Sequence, residues 1–148
     1  MTVKGLGLYQ ILGFSLGLML LSSVFLLPFS YRGARPLTLY EVARTTAEFW
    51  REISRLTEPV VALNTAFLMV FILLVFAGLT GFFALGSGVI GVFAMVVMSS
   101  VLFLFWPQIV LGSGYYVSWA TSLAILGIGI WRKRARDWCP LPVLTKRV

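Results

Sequence analysis

The chain has 148 residues, 59% of them hydrophobic and 11% charged, with a net charge of +7, whereas a soluble domain carries roughly 25% charged residues. So few charges exclude a fully water-exposed surface. The lack of histidine, with Cys139 as the one cysteine, excludes a disulfide within the chain and removes the commonest metal ligand and general base. The positive balance does not indicate nucleic acid, because the basic residues sit at the ends of apolar segments, where they set topology and meet anionic headgroups.

No charge falls between Lys4 and Arg32, and none between Glu58 and Arg132. A charged side chain at the centre of a membrane helix costs about 2.5 to 3.5 kcal/mol, so two long charge-free stretches identify lipid as the solvent. The first, Gly5 to Ser30, is longer than the roughly 7 to 15 apolar residues of a signal-peptide core, and no A-x-A-like site follows it. It predicts a retained membrane helix over about 5–30, with Pro28, Phe29 and Tyr31 at headgroup level.

Tyr31 to Glu58 is the one stretch of soluble character and predicts an outer amphipathic helix over about 38–57. Thr38 and Glu41 form a capping box, in which hydroxyl and carboxylate each take one of the orphan amides at the helix start. Leu39, Val42, Ala43, Ala47, Trp50 and Ile53 recur at three and four and make one apolar face, widened by Phe49 and Leu56. Glu41/Arg44, Arg44/Glu48, Glu48/Arg51 and Glu52/Arg55 are spaced for ion pairs on the other face, which accounts for these carboxylates without chemistry.

The second charge-free stretch, Pro59 to Trp131, spans about 73 residues, and each crossing needs about 20. Three crossings fit, over about 60–84, 88–106 and 114–131, with turns at Leu85-Gly86-Ser87-Gly88 and at Pro107 to Gly114. The aromatics Phe103, Phe105, Trp106, Tyr115, Tyr116 and Trp119 mark a headgroup belt. The expected fold is therefore an all-α membrane protein: a four-helix transmembrane bundle over 1–131, the outer helix between its first two crossings, and a basic tail over 132–148.

An even number of crossings puts both termini on one face. Lys4, Arg132, Lys133, Arg134, Arg136, Lys146 and Arg147 lie on that face, and Arg32, Arg35, Arg44, Arg51 and Arg55 on the other, which predicts cytoplasmic termini in a multi-pass plasma-membrane protein. Arg132, Lys133, Arg134 and Arg136 are placed to meet lipid headgroups. Cys139 is a juxtamembrane cysteine of the kind that is sometimes lipidated.

Small residues at four-residue spacing allow helices to approach closely. Gly13 with Gly17, Ala77 with Gly81, and Ala120 with Ala124 are such pairs, expected to pack the bundle or to join copies. The polar residues at depth are uncharged, which argues against a proton-coupled or charged-solute transporter. Asn64, the most polar, is expected to bond between helices, while Ser22/Ser23 and Ser99/Ser100 suit packing and bonding to their own helix backbone. There is no Ser/His/Asp or Cys/His set and no metal-ligand cluster, and Gly86-Ser87-Gly88 lacks the lysine of a phosphate loop. Neither an enzyme nor a cofactor is expected.

This layout resembles the small tetraspan proteins, the claudin-like and tetraspanin-like group: cytoplasmic ends, two unequal outer loops and a tight inner turn. Gly112-Ser113-Gly114-Tyr115-Tyr116, leading into the last helix, is similar to the final hairpin of short archaeal multi-pass proteins. The larger loop comes first, as in claudins, but it lacks their Trp and paired cysteines, and the second loop lacks the Cys-Cys-Gly of tetraspanins. The resemblance implies lateral assembly and carries over no functional residue. The leading expectation is a non-enzymatic scaffold that self-associates and organises or curves the membrane, with lipids and other copies as partners. An accessory subunit of a respiratory or transport assembly is the second, and a small channel or carrier the third.

Overall fold

The computed structural model describes residues 3–32, 35–48, 50–53, 58–105 and 109–137. In chain order these form helix α1 (Val3–Phe25), strands β1 (Pro28–Arg32) and β2 (Arg35–Thr38), helices α2 (Leu39–Glu48), α3 (Trp50–Ile53) and α4 (Glu58–Leu79), a 3-10 turn (Gly81–Phe83), helix α5 (Ala84–Phe105), strand β3 (Val110–Leu111) and helix α6 (Ser113–Asp137). The chain is predominantly helical. Three helices contain stretches long and apolar enough to cross a membrane: Gly7–Phe25, Val60–Leu79 and Ala84–Leu104. At a rise of about 1.5 Å per residue, each matches a hydrocarbon core about 30 Å thick. α6 falls outside that set, because its first half carries Tyr115, Tyr116, Ser118, Trp119, Thr121 and Ser122 and its last turns carry Arg132, Lys133, Arg134 and Arg136.

The four long helices pack antiparallel in succession. Gly13 and Gly17 of α1 meet Gly81 and Gly78 at the end of α4. Ser87 near the start of α5 donates to the carbonyl of Ala77 near the end of α4. Gly88 and Gly129 set α5 against α6, and α6 returns along α1, from Ser118 beside Ser23 to Trp131 beside Tyr9. Leu20, Val24, Val70, Leu74, Met95, Met98 and Ile125 fill the centre with no exposure.

Two of these interfaces exist only because glycine is present. A Cβ on Gly17 would lie 2.4 Å from the Gly78 carbonyl oxygen and one on Gly13 2.5 Å from that of Gly81; a Cβ on Gly88 would lie 2.4 Å from the Leu126 amide. The backbones therefore touch directly, and between membrane helices such van der Waals contact replaces the hydrophobic drive that water would supply.

The expected turn at Leu85-Gly86-Ser87-Gly88 does not form. The chain breaks earlier, at Thr80, whose hydroxyl and amide both donate to the Phe76 carbonyl and whose own carbonyl accepts from Phe83. Gly86, Ser87 and Gly88 run inside α5. In lipid, leaving a helix strands amides and carbonyls, so a glycine there serves packing more readily than termination. At the other end α6 continues to Asp137, so Arg132 to Arg136 are helical and not the start of a tail. Residues 138–148, with Trp138, Cys139, Pro140, Pro142, Lys146 and Arg147, and the turn residues Trp106, Pro107 and Gln108 lie outside the described residues.

An all-α fold was expected, but a three-stranded antiparallel sheet in the order β2-β1-β3 closes one end of the bundle. β1 pairs with β2 from Arg32↔Arg35 to Pro28↔Thr38, with an irregularity between Pro28 and Ser30, and with β3 through Ser30↔Leu111 and Tyr31↔Val110. Phe29 anchors the sheet, buried completely and edge-on to Tyr115 at 5.6 Å. The sheet begins where the apolar run was expected to remain helical because Pro28 lacks an amide donor and disfavours a helical residue before it.

α2 leaves the sheet through the expected capping box: the Glu41 carboxylate accepts from the Thr38 amide at 2.9 Å, and the Thr38 hydroxyl accepts from the Glu41 amide at 3.1 Å. The helix is shorter than expected, ending at Glu48 and followed by α3. Of the spaced ion pairs, Arg44 with Glu48 at 2.7 Å is the one among the described residues; both are exposed, so it adds little. The hydrogen bond it donates to Glu48 first, and the Glu48 charge second, raise the Arg44 guanidinium above its ordinary pKa.

Three outcomes follow for thermal unfolding in detergent. Gly17→Val should destabilise by about 3 kcal/mol or more, since neither backbone can retreat, whereas Gly86→Ala, with open space around its added Cβ, should be neutral or slightly stabilising. Thr38→Ala should cost about 1 kcal/mol by removing the cap.

Candidate functional site: the helix interfaces and the outer cap

The hydroxyls inside the bundle have little bonding capacity left. Ser99 donates to the Met95 carbonyl at 2.7 Å, so its oxygen is free to accept, and it does so from the Tyr115 hydroxyl at 2.6 Å and the Trp119 indole N–H at 3.3 Å. One donor and two lone pairs are thereby used. Ser23 spends its proton on the Leu20 carbonyl at 2.7 Å, which makes Ser118 the donor in the 2.8 Å contact between them. Thr121 bonds back to Val117 at 2.7 Å. Ser122, fully buried, has no partner and faces Gly91.

Among the described residues one polar contact fastens α2 to α4. The Thr46 hydroxyl bonds to the Val42 carbonyl at 2.9 Å and to Asn64 Oδ1 at 3.2 Å, while Asn64 Nδ2 donates to the Val60 carbonyl at 2.8 Å. Around it, Leu39 and Ala43 are buried and Val42 packs partly against the core. The buried line is Leu39, Ala43 and Thr46, at spacings of four and three. Ala47, assigned to the apolar face from its spacing, is exposed, and Trp50 remains 39% exposed. Ile53 belongs to α3, with its side chain outside the described residues.

The small-residue pairs divide three ways. Gly13 and Gly17 act together, as just described. Ala77 and Gly81 do not: Ala77 faces Gly91 and Ser87 of α5, while Gly81 lies past the end of α4 and faces α1. Ala120 and Ala124 are exposed on the outer side of α6, away from the described core of this chain. The residues that do seat α6 are Ser118, Ser122 and Gly129; the first two are four apart, a pair that spacing marks only when hydroxyls are counted with glycine and alanine, and Gly129 follows seven residues on. At the C-terminal end of α6 Arg132 is partly buried, Lys133 and Arg134 are exposed, and the Arg136 side chain lies outside the described residues.

Aromatic rings mark both ends. Phe25, Tyr40 and Phe71 pack together with centroids 5.3 to 6.1 Å apart under α2, and Tyr9 meets Trp131 edge-on at 6.1 Å at the opposite end. Among the described residues no three His, Cys, Asp or Glu side chains come together.

Ser99→Ala should cost about 1 kcal/mol, because it strands two donors, while adding Tyr115→Phe to it should cost much less than Tyr115→Phe alone. A thermal double-mutant cycle in detergent reads that coupling, of about 0.6 kcal/mol on average for such membrane pairs; strict additivity would contradict the bonding scheme. No protein-family model, curated protein or solved structure matches the chain.

Proposed function

We propose that this chain is a non-enzymatic integral membrane protein of four crossings that associates laterally with copies of itself and organises the membrane around it. The observation that carries the reading is where the bundle spends its contact groups. Gly13, Gly17, Gly78, Gly88 and Gly91 and the hydroxyls of Ser23, Ser99 and Ser118 are used inside the chain. Ala120, Ala124 and Gly127 form an exposed strip along the outer side of α6. Such a strip suits the close approach of a second membrane helix.

The packing of α6 supports the reading of four crossings. α6 lies antiparallel to both α5 and α1 over its length, through Ser99/Tyr115, Gly88/Leu126 and Tyr9/Trp131. A helix seated between two membrane helices shares their solvent, and its serines and threonines are largely satisfied internally. Arg132, Lys133 and Arg134 at its end favour a cytoplasmic face for both termini, in the plasma membrane. The outer cap, with half-exposed Tyr40 and Trp50, then lies at the opposite headgroup layer. Four crossings with both termini on one face would give the tetraspan layout. The bonds that Ser23, Ser99 and Ser118 make inside the bundle speak against a solute path.

Extraction in mild detergent with native mass measurement tests the reading. A homo-oligomer of one stoichiometry is expected, converted to monomer by Ala120→Leu with Ala124→Leu while thermal stability stays within about 0.5 kcal/mol, as at other exposed sites. A monomeric wild type would overturn the proposal, and co-purification with different membrane subunits would replace it by the accessory-subunit reading.

A further inference from the structure

We propose that the inner end of α6 holds the phosphate of an anionic phospholipid, with Arg132 as the ligand that faces the bundle. This rests on the reading above that places this end at a headgroup layer. The buried face of α6 runs through Ser118, Thr121, Ser122, Ile125 and Gly129. Arg132, three residues past Gly129, continues that face, whereas Lys133 and Arg134 point to the exposed side. Gly129 rests directly on the backbone of Leu85 and Ala84 at the start of α5, so Arg132 leaves the bundle where the α5–α6 contact ends.

Arg132 Nε is buried and has no hydrogen-bond partner. It is the one charged group among the described residues in that condition; the other buried unpartnered atom is the Ser122 hydroxyl. Among the described side chains no carboxylate is placed to answer it: Glu41, Glu48 and Glu52 belong to the cap at the other end of the bundle. A guanidinium that is partly exposed but whose Nε is shielded from water without an acceptor favours a ligand that can supply one, and its planar fork suits two oxygens of a phosphate.

The depth suits a lipid as the source of that phosphate. Trp131 is 65% exposed and edge-on to Tyr9, an aromatic pair of the kind that sits at the membrane–water boundary. Lys133 and Arg134 beside it add positive charge that favours a headgroup with net negative charge over a zwitterionic one. The surface pair attracts anionic lipid in general; Arg132 fixes one molecule in place.

Native mass spectrometry of the full chain, delipidated and titrated with phosphatidylglycerol or phosphatidylcholine, tests this. One retained phosphatidylglycerol per chain is expected, with R132Q weakening retention by about tenfold and K133Q with R134Q by about two- to threefold. R132K, which keeps the charge and loses the fork, should fall between and guards against misfolding of R132Q. Wild-type retention by R132Q, equal retention of phosphatidylcholine, or displacement of the lipid by millimolar inorganic phosphate would overturn the proposal. The oligomer mass in the same spectra reports lateral association separately from the lipid adduct.

Discussion

The contact of Gly13 and Gly17 with Gly78 and Gly81 fixes the rest of the molecule. Lipid gives apolar helices no reason to leave it for one another, so association has to come from close dispersion contact, and here it comes from backbone lying on backbone. Because the contact reaches past the end of α4, it also fixes where the chain turns. Thr80 closes the helix on Phe76 and the 3-10 turn at Gly81–Phe83 delivers α5. α5 then repeats the device, Gly88 and Gly91 accepting α6 as α1 accepts α4.

Once the helices are that close, the polar groups between them must be satisfied by the protein. Ser99 shows how completely this is done, collecting a phenol and an indole on one hydroxyl that is itself bonded to its own helix. The same constraint explains the cap. Where β1 leaves α1 at Pro28, the unpaired strand groups find partners in β2 and β3, and Phe29 ties the sheet to Tyr115. α2 follows from the capping box and is held to α4 through Thr46 and Asn64. A closed interior and a capped end leave the lipid-facing surface and the basic end of α6 as the places where other molecules can act.

Features that depend on solvent or on local chain chemistry were legible in the sequence. The gaps between Lys4 and Arg32 and between Glu58 and Arg132 mark the apolar helices, and Thr38 with Glu41 marks the start of α2, because each rests on residues adjacent along the chain. Features decided by contact were not. Gly86-Ser87-Gly88 reads as a turn in water but becomes helix when a neighbour needs that space. Ala47 and Thr46 compete for one face of α2, and a partner at Asn64 decides for the hydroxyl. Ala120 and Ala124 have the spacing of a packing pair, yet Ser118, Ser122 and Gly129 take that role because they face α1 and α5. The sheet was the least visible, its β3 strand being only Val110–Leu111. Still, a two-residue Gly33-Ala34 connection between Arg32 and Arg35 carries a hairpin signal.

The account stands on α6 being a crossing and not a helix lying on one face. Labelling cells with a membrane-impermeant thiol reagent decides it. Cys139 should react only after permeabilisation, and a cysteine placed at Glu48 in a Cys139→Ser background should react in intact cells, because α6 carries the chain back across the membrane. Equal reactivity of the two positions in intact cells would put the end of α6 on the same face as the cap and contradict the four-crossing bundle.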